Sequence, residues 1–165
     1  MQIELSPVEE TQKSVLRQLV ELYEYDFSEF DQNDINEFGY FGYKYLDYYW
    51  TEEGRAPFFI KVNGSLAGFV LVNDYCYLVK EAGAKSIAEF FVMRKYRRQG
   101  IGKTAAFIIF DRYPGHWEVI QQEDNVPSIQ FWELVVNEYT RGRFQKKQVQ
   151  TEDWFGQALI FDNSS

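Results

Sequence analysis

"RKYRRQGIGKTAAF", Arg94 to Phe107, sets five cationic side chains and two glycines within the ten residues Arg94–Lys103 of a chain whose net charge is −8. "SIAEFFVM" (Ser86–Met93) runs into it with the composition of a strand, and "IGKTAAFIIFDRY" leaves it as a helix that Pro114-Gly115 ends. A glycine-bearing turn between a strand and a helix N-terminus is a place to hold an anion. The N–H groups of Gln99 to Lys103 and the positive end of the helix dipole converge there, and glycines let a phosphate approach the main chain. A strand, such a loop and a helix in succession set the class as α/β.

Downstream, "HWEVIQQ" (116–122) predicts a further strand. "NVPSIQFWELVVNEY" predicts a helix with Pro127 near its start and Phe131, Val135 and Tyr139 along one face. "RFQKKQVQ" (143–150) and "WFGQALIFD" (154–162) read as closing strands. Upstream, "PFFIKV" and "LAGFVLV" flank Asn63-Gly64, a hairpin turn. Ser6-Pro7-Val8-Glu9 has the form of a capping box and predicts a helix over about 7–25; a second, short helix is expected over about 44–51. The sum is one α/β domain over 1–165, with a mixed, mostly antiparallel sheet flanked by helices.

Composition narrows the function. The chain of 165 residues is 45% hydrophobic and 19% aromatic, the size of one domain. No apolar run approaches the ~20 residues that span a bilayer, and MQIELSPVEE has neither the basic end nor the apolar run of a secretory signal, so a cytoplasmic location and no membrane partner are expected. One cysteine and one histidine leave no internal disulfide and no Cys/His zinc cluster; no metal is expected. Cys76 lacks a basic neighbour to stabilise its thiolate and is expected to be a small buried side chain, and His116 to be structural or exposed. The acidity argues against nucleic acid as a partner, because duplex binders are basic over a broad face. The net positive charge of Arg94–Lys103, five bases and no acid, is local and suits a compact polyanion.

Three phosphate-binding patterns compete for the loop. Gly102-Lys103-Thr104 ends like a P-loop, but that loop needs glycine where Arg97 stands. Gly100-x-Gly102-x-x-Ala105 meets the dinucleotide fingerprint, but stands too far beyond Val92, the end of the preceding strand, for that turn. The third pattern is Arg97-x-x-Gly100-x-Gly102 between strand and helix. It resembles the coenzyme A pyrophosphate loop of the GNAT superfamily of N-acetyltransferases, Q/R-x-x-G-x-G/A. The resemblance extends over Ser86–Tyr139: "EFFVMRKYRRQGIGKTAA" is similar to the superfamily's strand-loop-helix block. "HWEVIQQEDNVPSIQFW" is similar to the next block, with Asn125, Ser128, Phe131 and Trp132 at the expected spacing.

The resemblance implies a GNAT-like fold with an acceptor side at about 1–55, an acetyl-CoA-binding core at about 56–140 and closing strands at about 141–162. It implies acetyl-CoA as cosubstrate, held by Arg97, Arg98, Gln99, Gly100, Ile101, Gly102 and Lys103. Phe91, Val92 and Arg94 would flank the pantetheine arm, a backbone N–H near Val92 would meet the thioester oxygen, and Asn125 would contact the cofactor or cap its helix. An amine would attack the acetyl group directly in a ternary complex. Glu89 is then the first candidate for the base, a charge-paired or sheet-edge carboxylate being the other role open to it. The superfamily's usual tyrosine acid is replaced by Trp132, whose indole N–H is no practical acid. Tyr139 is the substitute acid or a packed helix residue.

From Glu21 to Arg55 the chain holds ten acids, two bases and twelve aromatics. Such a segment suits a small amine or peptide amine as acceptor, since carboxylates steer cations and ring faces hold ammonium groups; it also suits an ordinary helix with a solvated acidic face, or a homodimer surface. Two function classes follow: an acetyl-CoA:amine N-acetyltransferase, and a non-catalytic acyl-CoA-binding or regulatory module of the same fold.

Overall fold

A computed structural model of the chain describes residues 1–164. Seven strands form one sheet in the order β1-β2-β3-β4-β5-β7-β6. They are β1 (Ile3–Pro7), β2 (Ala56–Val62), β3 (Ser65–Asn73), β4 (Lys85–Val92), β5 (His116–Gln122), β6 (Gln145–Gln150) and β7 (Phe155–Asp162). The helices are α1 (Lys13–Asp31), α2 (Tyr48–Thr51), α3 (Ile101–Arg112) and α4 (Val126–Thr140). Among the described residues β4 and β5 form the one parallel pair; the other neighbours run antiparallel.

The hairpin at Asn63-Gly64 is present, both residues with positive φ as its tight turn requires. The N-terminus differs from expectation. Ser6 and Pro7 belong to edge strand β1, opposite Phe59 and Phe58, rather than to a helix over 7–25. At the end of an edge strand Pro7 lacks an N–H that the ladder does not need, and the next donor, Val8 N–H, reaches Pro57 O at 3.0 Å. The helix begins instead at Lys13, after one 3-10 turn (Glu10–Gln12), and runs to Asp31, where Gln32 turns left-handed. The short helix expected over 44–51 contracts to Tyr48–Thr51, preceded by turns.

The sheet separates two cores. On one face Ile87, Trp117, Val119, Leu159 and Phe161 pack against Ile101, Ala105, Ile109, Trp132 and Val136 of α3 and α4. On the other, Phe59, Phe69, Leu71 and Phe91 pack against Leu16, Leu19 and Val20 of α1 and Tyr49 of α2.

Candidate active site

β4 and β5 pair only through Lys85–Trp117 and Ser86–Glu118 and then diverge. The gap is a cleft of about 970 Å³, walled by β4, β5, α1, α4 and the glycine loop. Met93 N–H donates to Ala67 O on β3 at 2.8 Å, so strand alternation turns the N–H and C=O of Phe90 and Val92 the other way, into the cleft. Val92 O there accepts a bond from Arg97 Nε at 2.7 Å.

At the glycine-loop end, Gly100 caps α3 with φ +78°, a left-handed conformation that glycine adopts without strain. The first helical bond of α3 is Thr104 N–H to Gly100 O, so the N–H groups of Ile101, Gly102 and Lys103 lie in the turn before it, as at any helix N-terminus. Gly100, Gly102, Lys103 and Arg98 line the cleft. Gly102 serves packing as well: a Cβ there would lie 3.1 Å from the ring of Phe131 on α4.

The basic side chains are less free than their number suggests. Asp26 of α1 takes Arg94 Nη2 at 3.0 Å and Arg97 Nη2 at 2.8 Å. Burial alone would raise its pKa, but the hydrogen bonds and charges of the two guanidiniums hold it below the usual carboxylate range. Lys103 Nζ lies 3.3 Å from Glu138 of α4 on an exposed surface. Arg97 therefore ties α1 to the loop and to the end of β4, and Gln99 bonds its own loop through Lys95 O.

Glu89 reaches the cleft through an irregularity in β4. Leu71 of β3 faces Glu89 and Val72 faces Ile87, which leaves Ala88 as a bulge. Ile87, Phe90 and Val92 thus face α3 and α4, whereas Ala88 and Phe91 face α1. The bulge puts Glu89 on the α1 side, beside Tyr23, whose hydroxyl is 3.5 Å from Oε1; Oε2 is buried with no hydrogen-bond partner. Burial first, and the Glu24 charge second, push the Glu89 carboxyl up to about 8. Glu24 itself is raised to about 7 by burial and by Asp31 and Glu21. Tyr23 is pushed well above its ordinary value by burial and by Glu89, which makes it a poor acid.

Asn125 lines the cleft and caps α4, its Oδ1 accepting from Ser128 N–H at 3.2 Å. Trp132 is buried against Phe90, with ring centroids 5.0 Å apart. Tyr139 is not brought to the cleft. Its hydroxyl donates to Asp111 Oδ1 at 2.6 Å and accepts from Asn163 Nδ2 at 3.0 Å, and its ring packs on Phe107 and Phe110. Burial and the Asp111 bond push that hydroxyl up to about 12. His116 stands 3.7 Å from Asp162 at the surface, and burial raises the Cys76 thiol to about 12. Among the described residues, no group of three or more His, Cys, Asp or Glu side chains is placed to hold a metal ion, and no helix is long and apolar enough to cross a membrane.

Several cleft residues escaped the sequence analysis: Tyr23, Phe27 and Phe30 of α1, Gln121 of β5, and Trp154 from the turn between β6 and β7. Tyr23, Phe27 and Phe30 do recur at helical spacing in the acidic-aromatic segment, which was the available signal.

The profile of the acetyltransferase (GNAT) family matches residues 16–135. Compared by sequence with curated proteins, the chain has no match. Among solved structures it is similar to an acetyltransferase from Thermus thermophilus, at 13% identity and TM-score 0.71, covering 98% of this chain and 97% of that one. It is similar to the ribosomal-protein-S18-alanine N-acetyltransferase of Escherichia coli, at 15% identity and TM-score 0.62, covering 99% and 96%. A third is the spermidine N-acetyltransferase of Vibrio cholerae in complex with CoA and spermine, at 10% identity and TM-score 0.67, covering 98% and 96%. At these identities the likeness is one of fold.

Proposed function

The chain belongs to the acetyltransferase (GNAT) family and is an acyltransferase, and from that premise we propose that it moves the acetyl group of acetyl-CoA to a primary amine by direct attack. The observation that carries this reading is the pairing, within one cleft, of an open helix N-terminus at one end and the buried carboxylate of Glu89.

The residues present fit acetyl-CoA. The N–H groups of Ile101, Gly102 and Lys103 suit its diphosphate, and Arg98 and Lys103 suit the outlying phosphate. The cleft-facing main chain of Phe90 and Val92 suits the amides of the pantetheine arm, with Val92 N–H the donor for the thioester oxygen as charge develops on it. Phe91 packs beneath this strand, Asn125 lines the opposite wall, and Arg94 and Arg97 act through Asp26, holding α1 over the site. When bound, acetyl-CoA supplies the thioester, whose carbonyl carbon takes the amine's electron pair as the C–S bond breaks.

The chain's own task is the proton. A free alkylamine has a pKa of about 10.4 and arrives as an ammonium ion at pH 7. Glu89, raised to about 8 by burial and Glu24, is a stronger base than an ordinary carboxylate and takes the ammonium proton, directly or through a water molecule. Tyr23 orients it. No side chain is assigned as acid: a thiol with a pKa of about 8.5 leaves as thiolate, and the second proton that the nitrogen sheds as the amide forms passes to that thiolate, directly or through water. For the acceptor, Glu29 and the rings of Phe27 and Phe30 line the cleft with Glu89, which favours a cationic amine. The named relatives act on a protein's alanine and on spermidine, and both acceptor types fit that description.

Release of coenzyme A thiol is the test. With acetyl-CoA, the protein should release thiol in the presence of spermidine or of a peptide with an N-terminal alanine, and calorimetry should detect coenzyme A binding. Binding without thiol release for any amine would favour the non-catalytic module.

A further inference from the structure

Glu118 lies in the middle of β5, between Trp117 and Val119, and is fully buried. Its oxygens are taken by main chain. Tyr77 N–H donates to Oε2 at 2.6 Å, and the N–H groups of Leu78 and Val79 donate to Oε1 at 2.8 and 3.1 Å. A carboxylate is costly to enclose unless hydrogen bonded, and three amide donors make this one tolerable. What the bonds fix is the loop between β3 and β4.

That loop belongs to the acceptor side of the molecule. Trp117 and Val119 enter the α3/α4 core, so alternation along β5 turns Glu118 to the face that carries Glu89 and α1. Tyr77, held by the first of the three bonds, stacks on Trp154 with ring centroids 5.7 Å apart and planes 12° apart, and Tyr75 meets Tyr77 edge-on at 6.1 Å. Trp154 lines the cleft. It lies over Gly156, where a Cβ would come within 2.6 Å of the indole. Carboxylate, loop, tyrosine and tryptophan thus form an unbroken chain of contacts that ends at the cleft wall.

We propose that Glu118 is a positioning residue for acceptor binding. By holding the main chain of Tyr77–Val79 it sets the Tyr77 ring against Trp154 and so fixes the wall of the cleft on the β5 side. The acceptor part of this proposal rests on the amine acetylation proposed above. The two walls differ in kind: α1 presents Glu29, Phe27 and Phe30, and the β5 side presents the indole of Trp154, stacked on a second ring. An ammonium-bearing chain lying between carboxylate and ring face is the acceptor such a pair of walls selects.

The test is Glu118→Gln. Glutamine keeps the volume but replaces one oxygen with an NH2 donor, so that either orientation of the amide sets a donor against at least one loop N–H. The near-UV circular dichroism band of the stacked Tyr77–Trp154 pair should be lost, as in Tyr77→Ala, while calorimetric affinity for coenzyme A stays within twofold of wild type. With acetyl-CoA and spermidine, the KM for spermidine should rise at least fivefold, with kcat and the KM for acetyl-CoA within twofold. A persisting band, or KM values for both substrates rising in parallel with a broadened melting transition, overturns the proposal. If Glu118→Gln does not fold, Tyr77→Ala, which leaves the carboxylate its main-chain donors, carries the kinetic test: an unchanged spermidine KM overturns it. If wild type releases no thiol with any amine, the acetylation reading fails separately, and the dichroism band with the coenzyme A affinity still decides whether Glu118 holds this wall.

Discussion

At the glycine-loop end of the cleft the groups facing a ligand are mostly main chain: the N–H groups of Ile101 to Lys103 and the cleft-facing amides of Phe90 and Val92. At the Glu89 end they are side chains, delivered by α1, the β4 bulge and the β6–β7 turn, the last backed by the β3–β4 loop. The first kind of site depends on what is absent, side-chain bulk at Gly100 and Gly102. The second depends on four distant segments agreeing on one place. The two ends should therefore fail differently: a methyl added to the loop disturbs binding, whereas an atom exchanged at Glu89 disturbs chemistry.

The largest effect is expected from Glu89→Gln. General-base catalysis contributes roughly 10²- to 10⁴-fold, so kcat should fall by about that factor while coenzyme A affinity is kept. The pH profile sharpens the same point. The base must be ionised to act, so wild-type kcat should climb with pH until about 8, where Glu89 titrates, and that limb should vanish in the variant. The stability sign is opposite to that of a salt-bridged carboxylate. A raised folded pKa favours folding below the unfolded value and loses that advantage as pH rises to about 8, so Glu89→Gln should melt higher than wild type in alkaline buffer.

Next in size is Gly102→Ala. Its Cβ would press on the Phe131 ring at 3.1 Å, and overpacking of this kind costs about 1–3 kcal/mol. Calorimetry should show coenzyme A bound roughly tenfold more weakly, and an unchanged affinity would mean that the loop end is not built as argued. Tyr139→Phe removes two hydrogen bonds, one to Asp111 and one from Asn163, and should lower unfolding stability by about 1–2 kcal/mol in a urea titration, with kcat within twofold; a large loss of kcat would restore Tyr139 as an acid. The smallest effect belongs to Asp26→Asn. Its two partners, Arg94 and Arg97, are 75% and 38% exposed, so breaking each pair should cost less than about 1 kcal/mol, and the difference from wild type should shrink in high salt.

The same contrast governs how much of the molecule could be read in the chain. The strand, loop and helix from Ser86 to Arg112 are consecutive, and their glycines, charges and apolar runs announced the loop without reference to anything distant. The Glu89 end of the cleft was legible only as an excess of acids and rings. The bulge at Ala88 interrupts the period-two pattern of β4 for the sake of its pairing with β3, so nothing in "SIAEFFVM" foretold which way Glu89 would face. Trp154 and Tyr77 lie far apart in the chain and meet only after the sheet has formed. At the N-terminus Ser6 and Pro7 satisfy a local helix rule, but pairing with Phe58 and Phe59 outweighs it. Tyr139 lies on the apolar face of α4, as expected, and for that reason its hydroxyl meets α3 rather than the cleft. Glu118 did leave a trace, a lone acid between Trp117 and Val119.

The parting of β4 from β5 gives this sheet a rim in its middle as well as at its two margins. A bare rim invites any passing extended chain to pair with it. A guest rich in amides, lodged there, would serve as a surrogate eighth strand, and the filled protein should then resist heat and unwanted association better than the vacant one.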